Sequence, residues 1–288
     1  MPKYFLKDCD IFYISFDEPN CDVNWERVKS IAPTAKRIHG VVGFDKAHRV
    51  CAEASTTNRL VIIDGDNWLN DDGLDQEIDD TGVEDACFSF KSQNIINGLE
   101  YGNGGIKVWN KEILLNSKTH ERANSVDFCW DIRYYQVDFI ASATVQNCTP
   151  YQAWRAGYRE GIKMSFVEGK PLEDFTTQWN LIWKGNLSRL FVWATIGRDC
   201  ENGIWSILGA RQALNDMLTK SIKHTCINDY HWMSDKFRSI SDNDPEEFAL
   251  YFNNAIRQQG IFIPEFDKDT SIWFKSIYMN PKREGLMW

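Results

Sequence analysis

Asp64 and Asp66, in RLVIIDGDNWL (59–69), are two carboxylates one glycine apart at the close of an apolar run. Like charges crowded into one small volume repel unless something positive joins them. A divalent cation suits that place, because hard ions prefer carboxylate oxygens and also accept phosphate oxygens. With a diphosphate bound, such an ion offsets the charge that builds on the leaving group. The competing reading is a tight turn, since Asp-Gly favours a type I′ hairpin when alternating apolar residues flank it on both sides. Here only one flank qualifies: NWLNDDGLDQ is too polar and too rich in turn formers to supply a returning strand.

The elements that must position this pair follow an alternating pattern. DIFYISFDEPN (10–20) reads as a strand running into a loop broken by Pro19, and CDVNWERVKSIAP as a short helix ended at Pro33. AKRIHGVVG supplies a second strand. In FDKAHRVCAEAST, Ala47, Val50, Cys51 and Ala54 fall at helical spacing and make one face apolar. RLVIIDGD is the third strand. Strands alternating with helices predict an α/β fold with a mainly parallel twisted sheet, whose ligands bind at the carboxyl ends of the strands. FDEPN and DGDN both sit at such ends.

Residues 70–85 read as a solvated acidic loop, ACFSFKSQ as a strand, and GLEYGNGGIKVWNKEILL as a Gly-rich turn before a strand. VDFCWDIRYYQVDFIASA is ambiguous between strand and helix. The second half is largely helical: TPYQAWRAGYREGIKMSFVEG opens on Thr149 as N-cap with Pro150 at the first helical position, and closes at Gly169. A second amphipathic helix covers NGIWSILGARQALNDMLTKSI, with Ile207, Ala210, Leu214, Met217 and Leu218 on one face. The expected division is 1–145 and 146–288, the second part packed on the first.

Composition narrows the function classes. The 288 residues are 43% hydrophobic and 14% aromatic, enough for a real core, and no apolar run approaches the length of a membrane span. The start, MPKYFLKDCD, lacks the pattern of a secretory signal, and the eight scattered cysteines contain no C-x-x-C pair, so a cytoplasmic protein with reduced thiols is expected. The net charge of -9 speaks against a polyanionic partner, but ten acids and no base lie between Asp64 and Asp85, which leaves the rest of the chain close to neutral. DNA is therefore not excluded. Neither G-x-G-x-x-G nor G-x-x-x-x-G-K-[ST] occurs, which removes the main support for dehydrogenase and P-loop kinase readings.

An apolar strand ending in Asp-x-Asp, preceded by a helix opening GFDKAH, resembles the nucleotide-sugar site of the glycosyltransferases with a GT-A fold. In several of those families a Phe-Asn-Arg-Ala-like helix start leads to the metal-binding pair; FDKA (44–47) stands in that place, with Lys46 where the family has arginine. The family's Gly-Gly segment, where donor sugar and acceptor meet, resembles YGNGGIKVW (101–109). The base of the inverting members would fall on Asp131 or Asp127 in VDFCWDI, although the usual Glu-Asp pair is absent. The resemblance covers about residues 8–135. The second half, with TPYQAWRAGYREGIK and WATIGRDCENGIWSILGARQ, is similar to a group of phage-encoded glycosyltransferases, some of them associated with hydroxymethylated pyrimidines in viral DNA. A phage-encoded chain would work in the host cytoplasm.

The resemblance implies a metal-dependent glycosyltransferase in which Asp64 and Asp66 bind Mn²⁺ or Mg²⁺ and, through it, the diphosphate of a nucleotide sugar, UDP-linked in the first instance. Asp17, Glu18 and Asn20 would face base or ribose, or else form a Pro-containing turn. Lys46 would meet phosphate near a helix start, or remain an exposed lysine. Gly102, Gly104 and Gly105 would let the backbone approach the donor sugar, or make an ordinary turn. Asp131, then Asp127, would take the acceptor proton, or cap a helix. Arg155, Arg159 and Lys163 recur at i, i+4 and i+8 and offer phosphate contacts to a DNA acceptor, or form a solvated face. The five histidines show no metal-ligand spacing. The alternatives are a nucleotidyltransferase or phosphohydrolase using the same carboxylates, transfer to a glycan or protein, and a non-catalytic binding module.

Overall fold

The computed structural model describes residues 3–102, 105–116 and 127–278. The backbone forms two compact units: residues up to Ile95 with Glu100–Val145, and Ile96–Leu99 with residues from Gln146 on. The first contains β1 (Tyr4–Phe5), β2 (Asp10–Ser15), α1 (Cys21–Ile31), β3 (Lys36–His39), α2 (Phe44–Ala54), β4 (Arg59–Asp64), β5 (Asn67–Leu69), β6 (Glu77–Ile78), β7 (Cys87–Asn94), β8 (Glu100–Tyr101), β9 (Ile106–Asn110), α3 (Lys111–Asn116) and β10 (Tyr134–Thr144).

Period-2 alternation in β2 and β4 feeds two cores. Ile11, Tyr13, Val61 and Ile63 join Val28 of α1 on one face, while Phe12, Ile14, Leu60 and Ile62 join Ala47, Cys51 and Ala52 of α2 and Leu114 of α3 on the other. Asp64 shares the parity of Leu60 and Ile62, so it belongs to the α2 side.

The class is α/β, consistent with a GT-A-like arrangement, and the strand order is β3-β2-β4-β9-β7-β10-β5, with β8 on β7. Pairing is mixed. β2 runs parallel to β3 and β4, and β10 parallel to β7, but β9 lies antiparallel between β4 and β7. Among the described residues the link from β7 to β9 contains no crossover helix, and a short link without one returns the chain antiparallel. Consequently the carboxyl ends of β2, β4, β7 and β10 share one rim with the start of β9.

The sheet also curls. β5 begins three residues after the end of β4, a reach of at most about 11 Å, yet four strand spacings of a flat sheet would separate them by about 19 Å. β5 pairs antiparallel with the end of β10, Asn67 opposite Thr144. Asp64–Asn67 is therefore a bridge across the curl and not the turn of a β4–β5 hairpin.

Two other expectations shift. The acidic segment is not merely solvated: β6 pairs with β1, and Asp80 is buried against Arg59 at 2.8 Å. Of the ambiguous segment VDFCWDIRYYQVDFIASA, Phe128–Trp130 forms a single 3-10 turn and the part from Tyr134 on is β10, whose ladder on β7 is interrupted twice between Val137 and Ser142, which blurs its alternation.

The second unit comprises α4 (Pro150–Met164), the hairpin β11 (Phe166–Val167) and β12 (Lys170–Pro171), α5 (Phe175–Gln178), α6 (Lys184–Trp193), α7 (Gly203–Leu218), α8 (Tyr230–Arg238), α9 (Pro245–Gln258) and α10 (Lys268–Tyr278). α4 ends at Met164; Gly169, expected as its stop, instead closes the hairpin turn with Glu168, both at positive φ. α4 and α7 are tied by Trp154 Nε1 donating to Gln212 and Tyr158 donating to Asp216. Arg211, wholly buried, donates to Glu265, Ala194 O and Ala249 O and so holds α7 to α6 and α9. Among the described residues no helix is long and apolar enough to cross a membrane.

Candidate active site

The bridge after β4 is held from beneath. Its central carbonyl, Gly65 O, lies 2.7 Å from the buried Tyr13 hydroxyl and accepts from Asn24 Nδ2 at 3.0 Å. Burial raises the Tyr13 phenol far above its usual value, so the hydroxyl stays a donor. On the exit side Val145 N donates to Asp66 O at 2.8 Å, and Asn20 Nδ2 donates to Val145 O at 3.1 Å. Glu18 packs on the glycine itself: a Cβ at residue 65 would stand 2.7 Å from Glu18 Oε2. Only glycine fits between the two aspartates while that carboxylate, which accepts from Phe16 N at 2.7 Å, stays in place. The rim thus gathers Glu18, Asn20, Asp64 and Asp66.

Each aspartate has a partner that spacing alone does not suggest. Lys107 Nζ donates to Asp64 Oδ2 at 3.2 Å and lies 3.5 Å from Gly105 O. The lysine side chain is 8% exposed and the aspartate's 21%. Lys107 pairs with Ile62 across the β4–β9 ladder, which puts it on the α2 face beside Asp64. Asp66 Oδ1 accepts from Asn67 Nδ2 at 3.0 Å. Asn67 is wholly buried, and its Oδ1 accepts from Ser142 at 3.0 Å, Ser92 at 3.3 Å and Thr144 at 3.4 Å. A buried hydroxyl cluster of β7 and β10 therefore aims one site carboxylate.

His48 of α2, to which spacing assigns no role, belongs to the same neighbourhood. Its Nδ1 lies 2.9 Å from Phe44 O, which can only accept, so that nitrogen carries the proton. Burial lowers the imidazole to about 4; the charge of Asp64 opposes that shift and Lys107 adds to it. His48 is neutral at physiological pH.

The glycine segment approaches the same face. A Cβ on Gly102 would stand 2.4 Å from Gln136 Oε1 and 2.7 Å from the Tyr134 hydroxyl, so a larger residue there would have to push those side-chain ends aside. Gly105 is buried and joined to Asp64 through Lys107; Gly104 lies outside the described residues. Asp127 is half-buried, and its charge reaches Tyr134, whose hydroxyl is raised well above the usual phenol value mainly by burial. Asp131 is exposed in the turn before β10, at the other end of that strand from Val145. Asp17 and Lys46 are exposed, Lys46 in the first turn of α2.

In the second unit the basic stripe is already engaged. Arg155 lies over the rings of Tyr151 and Tyr230, Arg159 donates to Ile227 O and also faces Tyr230, and Lys163 is 3.8 Å from Glu160. A phosphate there would exchange for protein partners. An apolar cavity of about 190 Å³ in this unit, lined by Phe175, Trp179, Leu190, Phe191, Leu214 and Ile263 among others, has no ionisable lining and so does not suit phosphate chemistry.

Among the described residues no three His, Cys, Asp or Glu side chains converge on a cation-sized volume. Two carboxylates still fit Mg²⁺ or Mn²⁺ chemically, because such ions keep several waters and take phosphate oxygens in place of a full protein cage.

No protein-family model matches the chain, and no curated protein matches it. Among solved structures, the crystal structure of S. aureus TarS 1-349 is similar over 88% of this chain and 93% of that one, at 11% identity and a TM-score of 0.28. A likeness of that size carries no argument about fold or function.

Proposed function

We propose that the chain is a metal-dependent glycosyltransferase that moves a sugar from a nucleotide diphosphate donor, a UDP-sugar, to an acceptor hydroxyl. The observation that supports it is the meeting of two distant motifs: Lys107 touches both the Asp64 carboxylate and the Gly105 carbonyl, which brings the aspartate pair and the glycine segment to one rim.

In this reading Asp64 and Asp66 hold Mn²⁺ or Mg²⁺, which supplies positive charge to the diphosphate as it leaves. Glu18 and Asn20, at the end of β2, with Asp17 beside them, face the nucleoside. Asp131 or Asp127 takes the acceptor proton; the charge of Asp127 reaches Tyr134, whose hydroxyl stands beside Gly102. The first 145 residues bind the donor, and residues 146–288, with Arg155, Arg159 and Lys163, serve the acceptor. Hydroxymethylated pyrimidine in phage DNA as that acceptor rests on the sequence resemblance of the second half alone.

Calorimetry with UDP, with and without Mn²⁺, tests the donor half: binding is expected only with the ion, and to be lost in Asp64→Asn. Binding that ignores the ion, or no binding of any nucleotide, defeats the reading. Hydrolysis of simple nucleotides without an acceptor would instead favour a nucleotidyltransferase or phosphohydrolase. Nucleoside mass spectrometry after incubation with nucleotide sugars and hydroxymethylated DNA tests the acceptor.

A further inference from the structure

A lysine already occupies the place at Asp64 where a cation would bind. Its ammonium is 3.2 Å from Oδ2, and with 8% of its side chain exposed it has little water to return to. The strand register fixes it there, since Lys107 faces the α2 side beside Ile62, between the inward-facing Ile106 and Val108 of the opposite core. The Gly105 carbonyl, 3.5 Å from the same nitrogen, gives the ammonium a second oxygen to lean on when the first is taken. Two cations on one carboxylate repel, more strongly in a half-buried setting than in water.

We infer that Lys107 is a built-in counter-ion of the metal site: divalent-ion uptake at Asp64 is an exchange in which the ammonium is displaced toward the glycine segment. The inference rests on the metal reading above. It makes Lys107 a positioning residue that balances the Asp64 charge in the metal-free protein and weakens metal affinity in doing so.

The test is titration of the full chain with MnCl₂, followed by calorimetry, for the wild type, Lys107→Met, Lys107→Arg and Asp64→Asn. Lys107→Met should bind Mn²⁺ about tenfold or more tightly than the wild type, while Lys107→Arg, which keeps the charge, stays near it. If the wild type binds and Asp64→Asn does not, but Lys107→Met is unchanged or weaker, the metal reading survives and the exchange is overturned. Tightening in both Lys107 variants also overturns it, because charge would not be the cause. If no chain binds Mn²⁺, alone or with UDP, the metal reading itself falls and takes the exchange with it. Should Lys107→Met fail to fold, the wild type decides: the ¹⁵N resonance of the Lys107 ammonium, identified by its loss in Lys107→Arg, should shift on adding Mg²⁺, and a fixed resonance refutes the inference.

Discussion

Replacing Asn67 by alanine is the most direct way to ask whether the buried hydroxyl cluster holds the site. The change deletes the bond from Nδ2 to the ionised Asp66, worth about 1.5–3 kcal/mol, and the 3.0 Å bond from Ser142, worth about 1 kcal/mol. Ser92 and Thr144 add little, because they lie 2.5 Å from each other and Ser92 also reaches Ser142 O at 3.1 Å. The expected cost is therefore about 3 kcal/mol, carried by the first unit. A chain with two compact units need not unfold in one step, so native-state hydrogen exchange on the amides of β4 and β10 is the appropriate assay. Those amides should exchange about a hundredfold faster, since each 1.4 kcal/mol is a factor of ten. A double-mutant cycle with Asp66→Ala should recover a coupling of at least about 1 kcal/mol. Acceleration below about threefold, or strict additivity in the cycle, would refute the idea that the cluster aims the Asp66 carboxylate.

Two further outcomes follow from paired charges away from the site. Asp80→Asn leaves the Arg59 guanidinium, 8% exposed, without its anion, and should cost about 3–5 kcal/mol and open residues 70–85 to limited proteolysis; an uncleaved, equally stable variant would contradict it. Asp10 links β2 to the α2–β4 connection: burial pushes its carboxyl up, but hydrogen bonds from the Thr56 amide and hydroxyl and from Lys36 together outweigh burial and hold it well below the usual range. A lowered folded value means that the stabilisation is complete above the unfolded carboxylate value, about 3.9, and is lost as pH falls through the folded one. Asp10→Asn should thus cost about 2 kcal/mol at pH 7, with the gap to the wild type closing below about pH 4 in urea melts.

Local pattern carried much of the α/β architecture. The alternation in DIFYIS and RLVIID, the apolar face of FDKAHRVCAEA, and Thr149–Pro150 at a helix start are each visible to a reader counting residues, because each depends on neighbours a few positions away. Register is different. Nothing in IKVWN says that its strand enters antiparallel between β4 and β7, and a long strand with two ladder irregularities loses the alternation that would have separated β10 from a helix. The same divide runs through the site. Asp64 and Asp66 announce themselves by spacing, whereas Lys107 and Asn67 act through strands far away in sequence. Each left a faint trace all the same: Lys107 is the lone charge inside an apolar strand two residues after Gly105, and Asn67 follows the aspartate pair directly. The acidic segment misled for a related reason, since composition cannot show that Asp80 has a buried arginine waiting for it.

The Asp64–Asn67 bridge runs from β4, inside the rolled sheet, to β5 at its edge, which are four strands apart in the order. The carboxylates therefore sit on a buckle: anything gripping them also fastens the seam where β5 meets β10, and fraying of that seam loosens the grip. On the proposed function, substitutions at the wholly buried Ser142 or Thr144 would weaken binding at the carboxylates.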